Sequence, residues 1–230
     1  MALRDFSRTM MLPMRIWDIP TRLFHWAIVL LVLLSFTSVQ AGWMEVHLAS
    51  GYAVLALLLF RIVWGFLGSE TARFRQFLVS PVKTVRYLRA IRKPAPDTQI
   101  GHNPAGGWMV LVLLLLLLVQ VVSGLFNTEE YGKAYAAAGP LVKYATKDQA
   151  SLAGAIHAIN FAVLATVVVL HVLAIGAYAR LKKHDLVRPM ITGVKRLPAA
   201  TRQPRLVSPL RAALVLALAG AAVWVLVTQV

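Results

Sequence analysis

The 230-residue chain is expected to be an all-α integral membrane protein: a four-helix transmembrane bundle followed by a fifth, C-terminal transmembrane helix. Three observations predict this. The composition is 59% hydrophobic and only 14% charged, with a mean hydropathy of +0.69. Uninterrupted apolar stretches, such as Met109 to Val122, are long enough to cross a hydrocarbon layer of ~30 Å. The basic residues are gathered in particular segments between those stretches, so the net charge of +15 reflects membrane topology and not nucleic-acid binding.

Residues 1–22 form a polar, basic N-terminus with Arg4, Arg8, Arg15 and Arg22, and the run Ile16 to Thr21 reads as an interfacial lead-in. Pro20 and Thr21 suit the start of a helix. The first span covers about 23–40, with His25 in its first turn or so. Ser38-Val-Gln-Ala-Gly imitates a signal-peptide cleavage site, but the apolar run before it can span a membrane and contains His25, so it is expected to stay in the mature protein. The short link Ala41 to Glu45 permits only an antiparallel neighbour. The second span, about 46–66, begins with His47 and carries Arg61 near its far end. Gly51, Leu58 and Gly65 share the face of His47, where the glycines admit either a flat macrocycle or a closely packed helix.

Residues 68–106 are a basic loop ending in Ile100-Gly-His-Asn-Pro-Ala-Gly-Gly, and Pro104 suits the first turn of the third span, about 108–126. That span has no histidine, only Gln120 and Ser123 as polar residues, and its leucine run reads as wall and not as site. Residues 127–153 are nearly neutral, with Glu129, Glu130, Lys133, Lys143, Lys147 and Asp148. The fourth span, about 155–179, carries His157 and His171. Residues 181–211 are basic again, and 212–230 form the fifth span, where Ala213, Ala217 and Ala221 make a small-residue stripe open to a homodimer, a partner or the bundle itself.

The positive-inside rule sets the orientation. Placing the N-terminus, the 68–106 loop and the 180–211 loop on the cytoplasmic side, with Arg61 at the cytoplasmic end of span two, collects twenty-one of the twenty-four Lys and Arg residues there. The C-terminus then faces outward, into the periplasm if the cell is a Gram-negative bacterium. Orientation gives each histidine a depth. His25 and His171 fall in the cytoplasmic half, His47 and His157 in the outer half. His157 and His171 are fourteen residues apart, a little under four turns, so they project from nearly one face ~21 Å apart along the axis.

One intramembrane histidine is commonly a helix-to-helix hydrogen bond. Four of them matched by depth are better explained as ligands. Two imidazoles on separate helices, without thiolate or carboxylate, do not make a zinc or di-iron site. A macrocycle supplies four nitrogens and needs two axial imidazoles, so the pattern predicts two non-covalent haems, His25 with His171 and His47 with His157. With no cysteine in the chain, covalent haem attachment, iron–sulfur clusters and disulfides are excluded. Six-coordinate iron leaves no open position, which implies outer-sphere electron transfer. Arg61 is either a propionate partner of the cytoplasmic-side haem or a snorkelling residue at the interface. His102 is either a helix-start residue or a contact to a quinone headgroup. His184 reads as a solvated interface residue.

These residues resemble the bacterial cytochrome b561 family, which includes the b-type cytochrome subunits of nickel–iron hydrogenases. The resemblance covers roughly residues 15–195. It rests on Trp17-Asp-Ile-Pro-Thr-Arg-Leu-Phe-His25-Trp, His47-Leu-Ala-Ser-Gly-Tyr, Arg61-Ile-Val-Trp-Gly-Phe, Ile100-Gly-His-Asn-Pro, the His157/His171 spacing and Leu186-Val-Arg-Pro-Met-Ile-Thr-Gly. It implies that the four histidines ligate two haems b in a four-helix bundle. It also implies that the protein exchanges electrons between the quinone pool and a periplasmic redox partner, such as a c-type cytochrome or a hydrogenase. The fifth span departs from the shortest members of the family.

Two other functions compete. One is a superoxide:quinone oxidoreductase of the same fold, with Lys133, Lys143 and Lys147 steering the anion, although Glu129, Glu130 and Asp148 nearly cancel them. A histidine-based metal or proton transporter is the alternative from another class, and it lacks the intramembrane carboxylates such a protein favours. An electron-transfer subunit is preferred over a stand-alone enzyme.

Overall fold

A computed structural model describes residues 10–90, 98–127 and 138–229. Arg4, Arg8, Glu129, Glu130 and Lys133 lie outside the described residues. The chain is mostly helical, and five of its helices are long and apolar enough to cross a membrane.

A short strand β1 (Met11–Arg15) leads into helix α1 (Ile19–Gln40). The helix starts at Ile19, one turn before the apolar run, because Asp18 caps it: its Oδ1 accepts the Thr21 backbone N–H at 2.8 Å. Gly42, at φ 75°, turns the chain within three residues into α2 (Met44–Leu67). Two short helices follow, α3 (Phe74–Phe77) and α4 (Pro81–Arg89), the latter with Pro81 in its first turn and Ser80 as its cap. The next span, α5 (Pro104–Leu125), is capped by Asn103, whose Oδ1 accepts from Gly106 N–H at 2.8 Å. Helix α6 (Lys147–Ala177) starts two turns before its apolar run, because Thr146 and Gln149 form a reciprocal capping box. It runs into a π-helical turn, Tyr178–Lys182, that ends at the left-handed Lys183. A short α7 (Val187–Thr192), a strand β2 (Val194–Pro198) and the last span α8 (Pro209–Gln229) complete the chain.

The chain divides into two compact units. The first comprises the described residues of Met1–Leu23, Val63–Leu111 and Leu170–Ala212. Here β1 and β2 pair antiparallel, Met11 opposite Pro198 and Arg15 opposite Val194. This ribbon departs from the all-α expectation. Two strands alone are marginal in water, but these bury Leu197 against Ile16 and Trp17, and Gly193 (φ 81°) offers its carbonyl to the N–H groups of both residues. The sequence blocks that carry the family resemblance interlock in this unit. Trp64 Nε1 donates to Asp18 Oδ2 at 3.1 Å, Thr71 Oγ1 donates to the Ile16 carbonyl, and the Arg22 guanidinium donates to the Ile191 carbonyl. Ile16, Asp18, Arg22, Trp64 and Thr71 thus belong to one hydrogen-bonded scaffold.

The second unit comprises the described residues of Phe24–Ile62, Val112–Val169 and Ala213–Val230. Val54, Leu58, Leu117 and Leu164 meet at its centre, with Ile28, Leu31 and Val32 packed against them, so α1, α2, α5 and α6 converge on one apolar core. Helix α8 joins through Val223, which packs with Leu55 and Leu125. Its buried face is therefore the one bearing Ala219 and Val223, while Ala213, Ala217 and Ala221 are exposed.

Candidate functional site

The second unit contains a cavity of about 770 Å³ lined by His47 and His157. Their ring centroids are 6.2 Å apart and their planes cross at 80°. His47 projects from the first turn of α2, and its Nδ1 lies 3.0 Å from the carbonyl oxygen of Ser35 and 2.9 Å from the Ser35 hydroxyl on α1. His157 projects from α6, with its Nδ1 2.8 Å from the Gln120 carbonyl oxygen on α5. A carbonyl only accepts, so each imidazole carries its proton on Nδ1 and leaves Nε2 as a lone pair. That is the tautomer an axial ligand needs, and the arrangement is the usual one for a metal-bound histidine.

The cavity fits a macrocycle. Two imidazoles bound to one metal at about 2 Å each have ring centroids roughly 6 Å apart, which the pair matches. Among the described residues no group of three or more His, Cys, Asp or Glu side chains is placed to hold a bare metal ion. Gly51 lines the cavity one turn after His47, and a Cβ there would meet nothing within 4 Å. Phe36 and Phe161 stack on the wall with centroids 5.3 Å apart. The volume is within the range of cofactor sites, about 300–1,000 Å³, and the lining is mainly apolar.

The third span, expected to be wall, lines the cavity with Leu117, Gln120 and Gly124 and engages His157. Gln120 supplies the carbonyl to His157, and its side-chain Nε2 returns a bond of 3.1 Å to the carbonyl of His157. Asn160 Nδ2 donates to Gln120 Oε1 at 2.6 Å and to the Leu116 carbonyl at 3.0 Å. Gly124 allows the ring to approach, since a Cβ there would fall 3.0 Å from His157 Cε1. The signal was available: a Gln, a Ser and a Gly within five residues interrupt an otherwise aliphatic run, and a polar side chain in hydrocarbon needs a partner. Ser35 was missed because a single serine in a span has many uses.

The other candidates are placed as follows. His25 lies on α1 in the second unit beside the Trp26 ring, at 4.9 Å, and His171 lies on α6 in the first unit. Arg61 on α2 is only 2% exposed, in keeping with a charge held inside protein and not one snorkelling to water. His102, just before the α5 cap, packs between Trp17 and Phe77, with centroids at 4.7 and 4.6 Å. His184 follows the π turn, half-buried. Of the two glycines on the His47 face, Gly51 borders the cavity, whereas Gly65 serves packing: a Cβ there would fall 2.0 Å from the Phe74 ring. Lys143 lies 5.3 Å from the Tyr144 ring centroid.

The chain is thus a multi-pass helical membrane protein in which two imidazoles, each with Nδ1 already engaged, line one apolar cavity. The sequence model of the prokaryotic cytochrome b561 family matches residues 16–193, and the chain belongs to that family. It is accordingly a membrane b-type cytochrome that binds b-type haem and transfers electrons. No curated protein and no solved structure matches the chain.

Proposed function

We propose that the protein is a di-haem cytochrome that carries electrons across a bacterial inner membrane between the quinone pool and a periplasmic redox partner, a c-type cytochrome or a hydrogenase-like protein. His47 and His157 hold the haem on the periplasmic side, and His25 and His171 hold the one on the cytoplasmic side. The observation that carries the reading is the pairing of His47 and His157 at 6.2 Å with both Nδ1 atoms committed to backbone carbonyls.

When bound, haem b supplies a one-electron iron couple at each site. The chain supplies the rest. Ser35 and Gln120 fix the two ring orientations and raise the basicity of each Nε2. The aromatic and aliphatic lining excludes water, which lowers the reorganisation that accompanies electron transfer and favours the less charged oxidation state. With two imidazoles as its protein ligands, a bound haem would have no open position for a substrate, and exchange would be outer-sphere. The ~21 Å between His157 and His171 along one helix spans most of the hydrocarbon layer, giving one station near each face. Arg61 is proposed to meet a propionate of the cytoplasmic-side haem, because a planar guanidinium matches the two oxygens of a carboxylate. His102 is proposed near the quinone headgroup on the same side. The N-terminus is cytoplasmic by the distribution of basic residues.

The test is the haem-to-chain ratio and the reduced-minus-oxidised visible spectrum of the detergent-purified full chain and four variants. The wild type should hold two haems with low-spin b-type spectra. His47→Ala and His157→Ala should each lose the same haem, and His25→Ala and His171→Ala the other. Loss of one common haem in His47→Ala and His171→Ala would sink the pairing.

A further inference from the structure

The helix α4 is not used by the electron-carrier reading, yet its surface is highly organised. Its nine residues, Pro-Val-Lys-Thr-Val-Arg-Tyr-Leu-Arg, fall into three rows at i, i+3 spacing along the helix surface. Thr84 and Tyr87 form the inward row: Thr84 is buried, and the Tyr87 hydroxyl is 3.0 Å from that of Tyr178. Val82, Val85 and Leu88 form a second row and are exposed, at 68, 47 and 44%. Lys83, Arg86 and Arg89 are also exposed and form the adjoining i, i+3 row, which starts beside Tyr87 and ends, at Arg89, between Val82 and Val85. Among the described residues none of these three cations is in an ion pair.

The depth of the helix is set by what holds it. Tyr178 is at the end of the α6 span, and Trp108, in the first turns of α5, donates from Nε1 to the Val79 carbonyl at 3.1 Å, just before α4 begins. Both anchors lie at the ends of membrane-spanning helices, the level at which Trp and Tyr mark the bilayer interface. A helix fixed there, with an apolar strip beside a row of cations, has the pattern of an in-plane interfacial helix: aliphatic side chains enter the acyl boundary while Lys and Arg stems reach the headgroups.

We infer that α4 is a docking surface for acidic phospholipid headgroups, with Lys83, Arg86 and Arg89 binding the phosphates and Val82, Val85 and Leu88 inserted among the acyl chains. The lipid is that of the cytoplasmic leaflet if the orientation proposed above holds. Lipid selectivity itself depends on neither that orientation nor the haem count. Each cation near an anionic surface is worth about fivefold in affinity at low ionic strength, so three give on the order of a hundredfold, reduced by salt.

The experiment is native mass spectrometry of the full haem-loaded chain in detergent, titrated with phosphatidylglycerol or phosphatidylcholine of identical acyl chains. The wild type should retain phosphatidylglycerol preferentially, and the triple variant Lys83→Gln/Arg86→Gln/Arg89→Gln should lose most of that preference. A matched variant, Arg180→Gln/Arg188→Gln/Arg211→Gln, removes the same charge from other exposed positions and should keep it. All six residues are exposed, so folding is expected to survive, and the haem spectrum checks it. Equal loss in both triple variants would mean that net charge alone selects the lipid, and unchanged retention in the α4 variant would overturn the assignment and leave this face to a protein partner.

Discussion

The Gln120–Asn160 clamp allows a quantitative test of how His157 is positioned. Gln120→Leu removes the acceptor of the 2.6 Å bond from Asn160 and the donor of the 3.1 Å bond to the His157 carbonyl. It keeps the backbone carbonyl that receives His157 Nδ1. Hydrogen bonds between transmembrane helices average about 0.6 kcal/mol and reach about 1.7. The short bond within a buried pair belongs at the upper end, and leaving the Asn160 amide half-satisfied adds roughly 1 kcal/mol. A destabilisation of about 2–3 kcal/mol is therefore expected for Gln120→Leu. The informative experiment is a double-mutant cycle with Asn160→Leu, read by reversible unfolding of the haem-loaded chain. The coupling should be about 1–2 kcal/mol, because the double variant loses both ends of the same bond. The haem-to-chain ratio should stay at the wild-type value in all three variants, since the ligand and its carbonyl partner remain. Additivity within about 0.5 kcal/mol would refute the clamp. Loss of the outer haem in Gln120→Leu would show instead that the side chain, and not the carbonyl, orients the ring.

Two further outcomes follow from the first unit. A Cβ at Gly65 would overlap the Phe74 ring, and that ring is held between Phe66 and Phe77 at centroid distances of 5.4 and 5.9 Å. Gly65→Ala should cost about 1–3 kcal/mol in thermal unfolding, with Phe74→Leu in the same chain restoring much of it, and a neutral Gly65→Ala would show that the ring yields freely. Glu70 accepts the Arg205 N–H at 3.0 Å and pairs with Arg202, and its own N–H donates to the Arg205 carbonyl at 2.9 Å. The Arg205 backbone bond chiefly, with the nearby guanidinium charges, holds its carboxyl below the ordinary value. A depressed carboxyl stabilises the folded state fully above its unfolded value and loses that contribution as pH falls through the native one. Hydrogen-exchange protection at Arg205 and Val207, corrected for intrinsic exchange, should therefore weaken as pH drops below about 4.5, and Glu70→Gln should remove the pH dependence.

The membrane class, the approximate helices and the candidate histidines were readable from the order of amino acids alone. Each rests on a one-dimensional signal: hydropathy over about 20 residues, the clustering of Lys and Arg, and ionisable side chains where hydrocarbon makes them costly. The helix starts at Ile19 and Lys147 were legible only in hindsight, because a capping residue extends a helix beyond its apolar run. The remaining features depend on residues distant in sequence. The β1–β2 ribbon joins segments about 180 residues apart through backbone bonds that carry no side-chain signature. The engagement of His47 by Ser35 and of His157 by Gln120 uses main-chain carbonyls, which every residue possesses, so composition does not mark them. The stripe of Ala213, Ala217 and Ala221 likewise left homodimer, partner and bundle open, and within the chain α8 buries Ala219 and Val223: small residues permit close approach, but only the neighbouring surface determines which face receives it.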